Sequence, residues 1–82
     1  PMTDWELQKI IFAELQKIAP ESDPAGLEPN ESIREALDID SYSFLKVLVG
    51  LNERTGIEIP ESDYGQLGTL AGMLNYLRAH LC

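Results

Sequence analysis

The sequence predicts an all-α fold, a small bundle of three to four helices with a long first loop. Three observations predict it. Apolar residues recur at helical spacing in three separated stretches, around Leu7 to Ile18, Phe44 to Leu51 and Leu70 to Leu81. Each stretch is preceded by a residue that caps helices well, Thr3, Asp40 or Thr69, and the first two end at a breaker, Pro20 or Gly56. The single alternating segment, Ile57-Glu58-Ile59-Pro60, has no second strand to pair with.

The first helix opens on Thr3-Asp4-Trp5-Glu6, a capping box in which threonine and glutamate satisfy each other's backbone N–H groups. Leu7, Ile11, Leu15 and Ile18, with Ile10 beside them, form its inner face, and Gln8, Lys9, Gln16 and Lys17 supply much of the polar one. Trp5 and Phe12 lie off the stripe and are expected to cover an edge of the core. The helix should stop near Ala19, because Pro20 disfavours helical backbone in the residue before it. Residues 20 to 32 are rich in proline, glycine, serine and asparagine and read as a loop wrapping the surface, with Leu27 tacking it to the core. Ser32 to Leu37 can make one helical turn with Ile33 and Leu37 inward.

The next helix should begin at Asp40 or Ser41 and run to about Thr55. It is apolar on two faces. Phe44, Val47, Leu48 and Leu51 make one stripe; Tyr42, Leu45 and Val49 make a second. A chain this short cannot surround such a helix, so the second stripe either binds something or is covered by the 20–39 loop. Ile57 to Pro60 then reads as an extended connector that buries Ile57 and Ile59. Glu61 to Gln66 reads as a short helix closed by Gly65 and Gly68. Thr69 caps a last helix with Leu70, Met73, Leu74, Leu77 and Leu81 inward and Tyr76 and Arg78 at least partly in water.

Composition narrows the function. The 82 residues carry 14 acidic and 6 basic side chains, a formal net charge of -8. Such a chain repels phosphate backbones and anionic lipid, so nucleic acid and membrane surfaces are poor partners, while basic patches on proteins are good ones. Acidity can also serve solubility alone. Cys82 is the only cysteine, which excludes a disulfide scaffold and a cysteine metal site; a terminal thiol of this kind reads as incidental. No apolar run approaches the roughly 20 residues of a membrane span, and Pro1 to Glu6 has no signal-peptide character, so a cytoplasmic protein is expected.

Enzyme chemistry finds no support. His80, the only histidine, falls at the end of the last helix and has no geometry for a relay with Ser41. No glycine-rich phosphate loop is present. Asp38-Ile39-Asp40 opens like a calcium loop, but Ser43 stands where glycine is needed and Val49 where glutamate is needed. Glu31, Glu35, Asp38 and Asp40, or Glu58, Glu61 and Asp63, offer only nonspecific cation binding, and no metal is expected. Ser41 is different. A serine in the first turn of a helix sits beside free N–H groups at the positive end of the dipole, where a phosphodiester is stabilised. Helix rules alone ask no more of it than capping.

A spaced set of motifs gives Ser41 a further role. Leu37-x-x-Asp40-Ser41, the Ile57-Glu58-Ile59-Pro60 segment reached after fifteen intervening residues, and Thr69-Leu70 opening a helix that contains Asn75-Tyr76-Leu77 together resemble the acyl carrier protein family. Ile10-Ile11 in the first helix also fits. The resemblance implies one carrier domain over residues 1–82, with its core at about 4–80, and a bundle of acyl-carrier type. It implies a 4'-phosphopantetheine arm on Ser41, attached by a phosphopantetheinyl transferase that uses coenzyme A and magnesium. Asp40 would assist that modification and docking. Tyr42, Leu45, Lys46, Val49 and Glu53 would form the surface read by partner synthases and acyl-transferring enzymes. Val47, Leu48, Leu51, Ile59, Met73 and Leu74 would sheathe the acyl chain.

The chain also departs from that family's pattern. Asp38 replaces a glycine, Tyr42 a leucine, Ser43 a common acidic residue and Lys46 a usual glutamate, while Asn52 and Arg54 dilute the acidic face. The Gly-Gly-His/Asp-Ser form of amino acid carriers is absent. The expectation is therefore a free-standing, monomeric, specialised carrier with no activity of its own, serving fatty acid, polyketide or related biosynthesis. The alternative is an acidic helical interaction module without a prosthetic group.

Overall fold

The computed structural model describes residues 2–81, so Pro1 and Cys82, with the reading of that thiol, lie outside the described residues. The architecture is all-helical: α1 (Asp4–Ile18), a 3-10 turn (Pro24–Gly26), α2 (Ile33–Ala36), α3 (Ser41–Thr55), a 3-10 helix (Glu61–Leu67) and α4 (Leu70–His80). No strand occurs among the described residues.

Local chemistry sets each boundary. The capping box at Thr3 forms in both directions: Glu6 N–H donates to Thr3 Oγ1 at 3.2 Å and Thr3 N–H donates to Glu6 Oε1 at 2.9 Å. Ala19 closes α1 ahead of Pro20. Asp23 caps a short 3-10 turn inside the segment that the sequence predicts as loop. Gly56, at φ 76°, ends α3 in the left-handed region that side chains avoid. Thr69 Oγ1 accepts from Gly72 N–H at 3.0 Å and starts α4.

The core joins one face of each long helix. Leu7, Ile11, Leu15, Val47, Leu51, Met73 and Leu77 are fully enclosed, with Ile33 and Leu67 sealing one end. Each buried aliphatic side chain contributes roughly 1.5–3 kcal/mol. α1 lies against both α3 and α4, and the Glu61–Leu67 segment lies on α4. Leu27 is buried, as its place in the loop predicts. The loop is fastened further by two backbone bonds, Ile33 N–H to the Gly68 carbonyl at 3.0 Å and Ala71 N–H to the Pro29 carbonyl at 2.9 Å.

Two side chains depart from expectation. Trp5 does not cover the core; it is 67% exposed and carries the Lys9 ammonium over its ring at 4.4 Å. Phe12 does pack against the core. Tyr76, expected to meet water, is only 4% exposed. Its O–H donates to Asp63 Oδ2 at 2.7 Å, and its ring stacks on His80 with centroids 4.1 Å apart. Donation to Asp63 pushes the Tyr76 phenol up to about 12. The phenol therefore satisfies its polar tip inside the protein and clamps the Glu61–Leu67 helix to α4.

Glu14 occupies the apolar face of α1 and is 5% exposed. Lys17 Nζ at 2.9 Å and Arg54 Nη1 at 3.2 Å both pair with its Oε2. Its carboxylate rests against α3 where Gly50 presents no side chain; a Cβ there would collide with it. A charge this enclosed is tolerated because it is doubly paired. The close approach gives a double-mutant test. In a Glu14→Ala background, Gly50→Ala should stabilise the protein by about 1 kcal/mol through helix propensity. In the wild type the same change should bring no gain, because the carboxylate must move. Urea unfolding of the four proteins measures the coupling, and additive effects would show that the two positions do not interact.

Candidate functional site

Four residues, Leu37 to Asp40, carry the chain from the end of α2 to the start of α3. α2 closes as a Schellman turn: Asp38 N–H donates to the Glu35 carbonyl at 3.3 Å and Ile39 N–H to the Arg34 carbonyl at 3.0 Å. That turn needs a left-handed residue just past the helix, and Asp38 supplies it at φ 53°, the one non-glycine positive φ among the described residues. The glycine that the resemblance places at Asp38 thus has a backbone reason. Aspartate is among the residues that tolerate this conformation at moderate cost.

Asp40 caps α3. Its Oδ1 accepts from Ser43 N–H at 2.7 Å, and its carbonyl accepts from Phe44 N–H at 3.0 Å. The Ser43 N–H holds the Asp40 carboxyl below the usual aspartate value, with the Ser43 hydroxyl, Arg34 and Lys46 adding to the effect. Ser41 is the first helical residue and is exposed. The N–H groups of Ser41 and Tyr42 have no protein acceptor among the described residues. An anionic group on Ser41 would therefore meet two free donors and the helix dipole. The exposed hydroxyl, the open N–H groups and the adjoining groove fit a phosphopantetheine arm.

That groove, about 630 Å³, opens beside Ser41. Tyr42, Phe44, Leu45 and Leu48 of α3 form one side, Glu61, Tyr64, Gly65 and Gly68 the other, and Arg34 of α2 reaches its rim. A second groove, about 400 Å³, continues along α3 past Leu48 and Tyr64, toward Val49, Asn52, Ile59 and Pro60. Leu48 and Tyr64 line both.

The outer stripe of α3 is left open by the 20–39 loop. Tyr42 is 66% exposed, Val49 50% and Leu45 37%. Lys46 lies on the same surface, its ammonium 4.7 Å from the centre of the Tyr42 ring, a cation–π contact. Glu53 is exposed one turn beyond Val49, while Arg54 is taken up by Glu14.

The six residues expected to sheathe cargo divide. Leu48 and Ile59 line grooves; Val47, Leu51 and Met73 are closed inside the core and Leu74 is half-buried, and none of these four lines either groove. Arg34 and Tyr64, which sequence patterning does not single out, line the groove beside Ser41, as does Glu61. Among the described residues no cluster of three or more His, Cys, Asp or Glu side chains could hold a metal, the loose acidic sets noted in the sequence included.

Comparison with known proteins fits this geometry. The family model described as phosphopantetheine attachment site matches residues 9–77. The chain is 33% identical over 76 residues to an acyl carrier protein of Rhodococcus erythropolis, covering 87% of this chain and 81% of that protein. It is 30% identical over 74 residues to the meromycolate extension acyl carrier protein of Mycobacterium leprae, covering 87% of this chain and 64% of that one. An acyl carrier protein of Thermobifida fusca is 33% identical over 54 residues, covering 66% and 68%.

The left-handed turn before Ser41 is directly testable. Asp38→Gly should stabilise the protein by roughly 0.5–1 kcal/mol by relieving side-chain crowding at positive φ, and Asp38→Val should cost about 1–2 kcal/mol. Urea unfolding measures both; a stabilising valine would mean that the turn is not left-handed in solution.

Proposed function

The chain belongs to the acyl carrier protein family, whose prosthetic group is phosphopantetheine, and from that premise we propose that Ser41 is the attachment point of its arm. The observation that carries the assignment is the placement of Ser41: an exposed hydroxyl at the first position of α3, beside two unpaired N–H groups and at the mouth of an apolar groove. When bound, the arm supplies a terminal thiol that holds acyl groups as thioesters.

The protein's own residues do the rest. Asp40 holds the first turn of α3 in place through Ser43 N–H, so that the hydroxyl is presented at a fixed position to a phosphopantetheinyl transferase. Tyr42, Leu45 and Val49, with Lys46 and Glu53 between and beyond them, offer an apolar docking surface of mixed charge to acyl-transferring and synthase enzymes. Basic patches on those partners are drawn by the net charge of -8. Cargo lies along the groove walls, with Leu48 and Ile59 in contact and Val47, Leu51, Met73 and Leu74 behind them.

Residues 1–82 act as one carrier domain, monomeric and cytoplasmic, without catalysis of its own. No helix of the described residues is long and apolar enough to cross a membrane, which is compatible with that placement. The pathway is fatty acid, polyketide or related specialised biosynthesis, and relatives named for meromycolate extension support chain-extension work. Lys46 supports a specialised carrier over the housekeeping fatty acid one, since a partner patch built to meet a glutamate there would face a like charge.

Two measurements test this reading. Incubation of the apo protein with coenzyme A and a promiscuous transferase, followed by intact mass, should show one phosphopantetheinyl group on the wild type and none on Ser41→Ala. A wild type left unmodified while a control carrier reacts would leave the acidic interaction module as the better account. Lys46→Glu should tighten binding to fatty acid synthesis enzymes about two- to five-fold, the range of one exposed charge contact. Equal affinity would place partner choice elsewhere.

A further inference from the structure

Five of the six cationic side chains are already engaged. Lys17 and Arg54 hold Glu14, Arg78 holds Asp4 at 2.9 Å, and Lys9 and Lys46 lie over the rings of Trp5 and Tyr42. Arg34 alone among the described residues has neither an ion pair nor a ring beneath it. It is also the one cation that lines the groove into which Ser41 opens. We propose that Arg34 is the anchor for the phosphodiester carried on Ser41, its guanidinium binding the free phosphate oxygens across the groove mouth. The inference rests on the reading of Ser41 as the attachment point.

The backbone around Arg34 is held on both sides. Ile33 N–H bonds the Gly68 carbonyl, and the Arg34 carbonyl accepts from Ile39 N–H at the turn leading to Ser41. The side chain itself is exposed. The chemistry of the mouth calls for a cation. Asp40 adjoins Ser41 and Glu61 stands on the opposite wall, so an added phosphodiester enters a place with two carboxylates nearby. The N–H groups of Ser41 and Tyr42 offset part of that repulsion, and Arg34 offsets more. A guanidinium presents paired N–H donors that match two phosphate oxygens, which an ammonium cannot do as well. Its charge is already felt at this end of α3, where it helps to lower the Asp40 carboxyl.

The test is made on one sample, whose intact mass shows whether Ser41 has been modified. NMR then follows the Arg34 side-chain N–H resonance from the apo to the holo protein and the phosphorus resonance of the holo protein. On modification the Arg34 resonance should shift, and high salt should reverse part of the shift. The phosphorus line of wild type should be broader than that of Arg34→Gln, with Arg34→Lys between them. A fully modified protein whose Arg34 resonance stays put, or an Arg34→Gln line identical to wild type, overturns the anchor and leaves the attachment reading standing. A mass that never increases removes the attachment reading and the anchor together.

Discussion

Between Leu37 and Ser41 the chain ends one helix and begins another, and the placement of Ser41, Asp40 and the backbone of Arg34 follows from that junction. Asp38 must be left-handed so that two N–H groups can return to the carbonyls of α2. Two residues later Asp40 must be extended so that its carboxylate can turn inward onto Ser43 N–H. A helix stop and a helix start thus share one short turn, and each removes orphan backbone groups that would otherwise be unsatisfied. The consequence is spatial. Ser41 is held at the surface, and Arg34, fixed through its carbonyl to the same turn, is held at the rim of the same groove.

α3 joins that junction to the core. Its inner stripe packs against α1, with Val47 and Leu51 fully enclosed in the shared core. Its outer stripe stays bare because none of the described elements, the 20–39 loop included, covers Tyr42, Leu45 and Val49. The grip extends past apolar contact: Glu14 bridges from α1 onto α3, seated in the space that Gly50 leaves and paired from α3 by Arg54. A helix anchored in this way presents its other face and its first turn as a rigid platform.

Much of this is legible in the sequence because it depends on near neighbours. Caps at Thr3, Asp40 and Thr69, the breaks at Pro20 and Gly56, and the two stripes of α3 are all written within a few residues. What is not legible depends on distant pairing. Tyr76 looks like a water-facing residue of α4 until Asp63 supplies a partner for its hydroxyl. Glu14 carries no local signal of burial, because the room for it comes from Gly50 on another helix. Trp5 reads as cover for an edge of the core, yet its place in the first turn of α1 leaves it outside. Arg34 gives no local signal, since its meaning comes from the groove that α2, α3 and the Glu61–Leu67 helix enclose together.

The same distinction decides where cargo can sit. Moving a chain in among Val47, Leu51 and Met73 requires the helices to part, because these side chains have no exposed surface. Each one separated from its neighbours forfeits roughly 1.5–3 kcal/mol unless the incoming chain replaces the lost contact. The grooves along α3 carry no such cost, since they are already open and already apolar at Leu45, Leu48, Ile59 and Tyr64. A short chain gains by lying there with the core intact. A longer one can repay separation of the core only by filling it, with Leu48, which touches both grooves and the enclosed interior, as the natural point of entry.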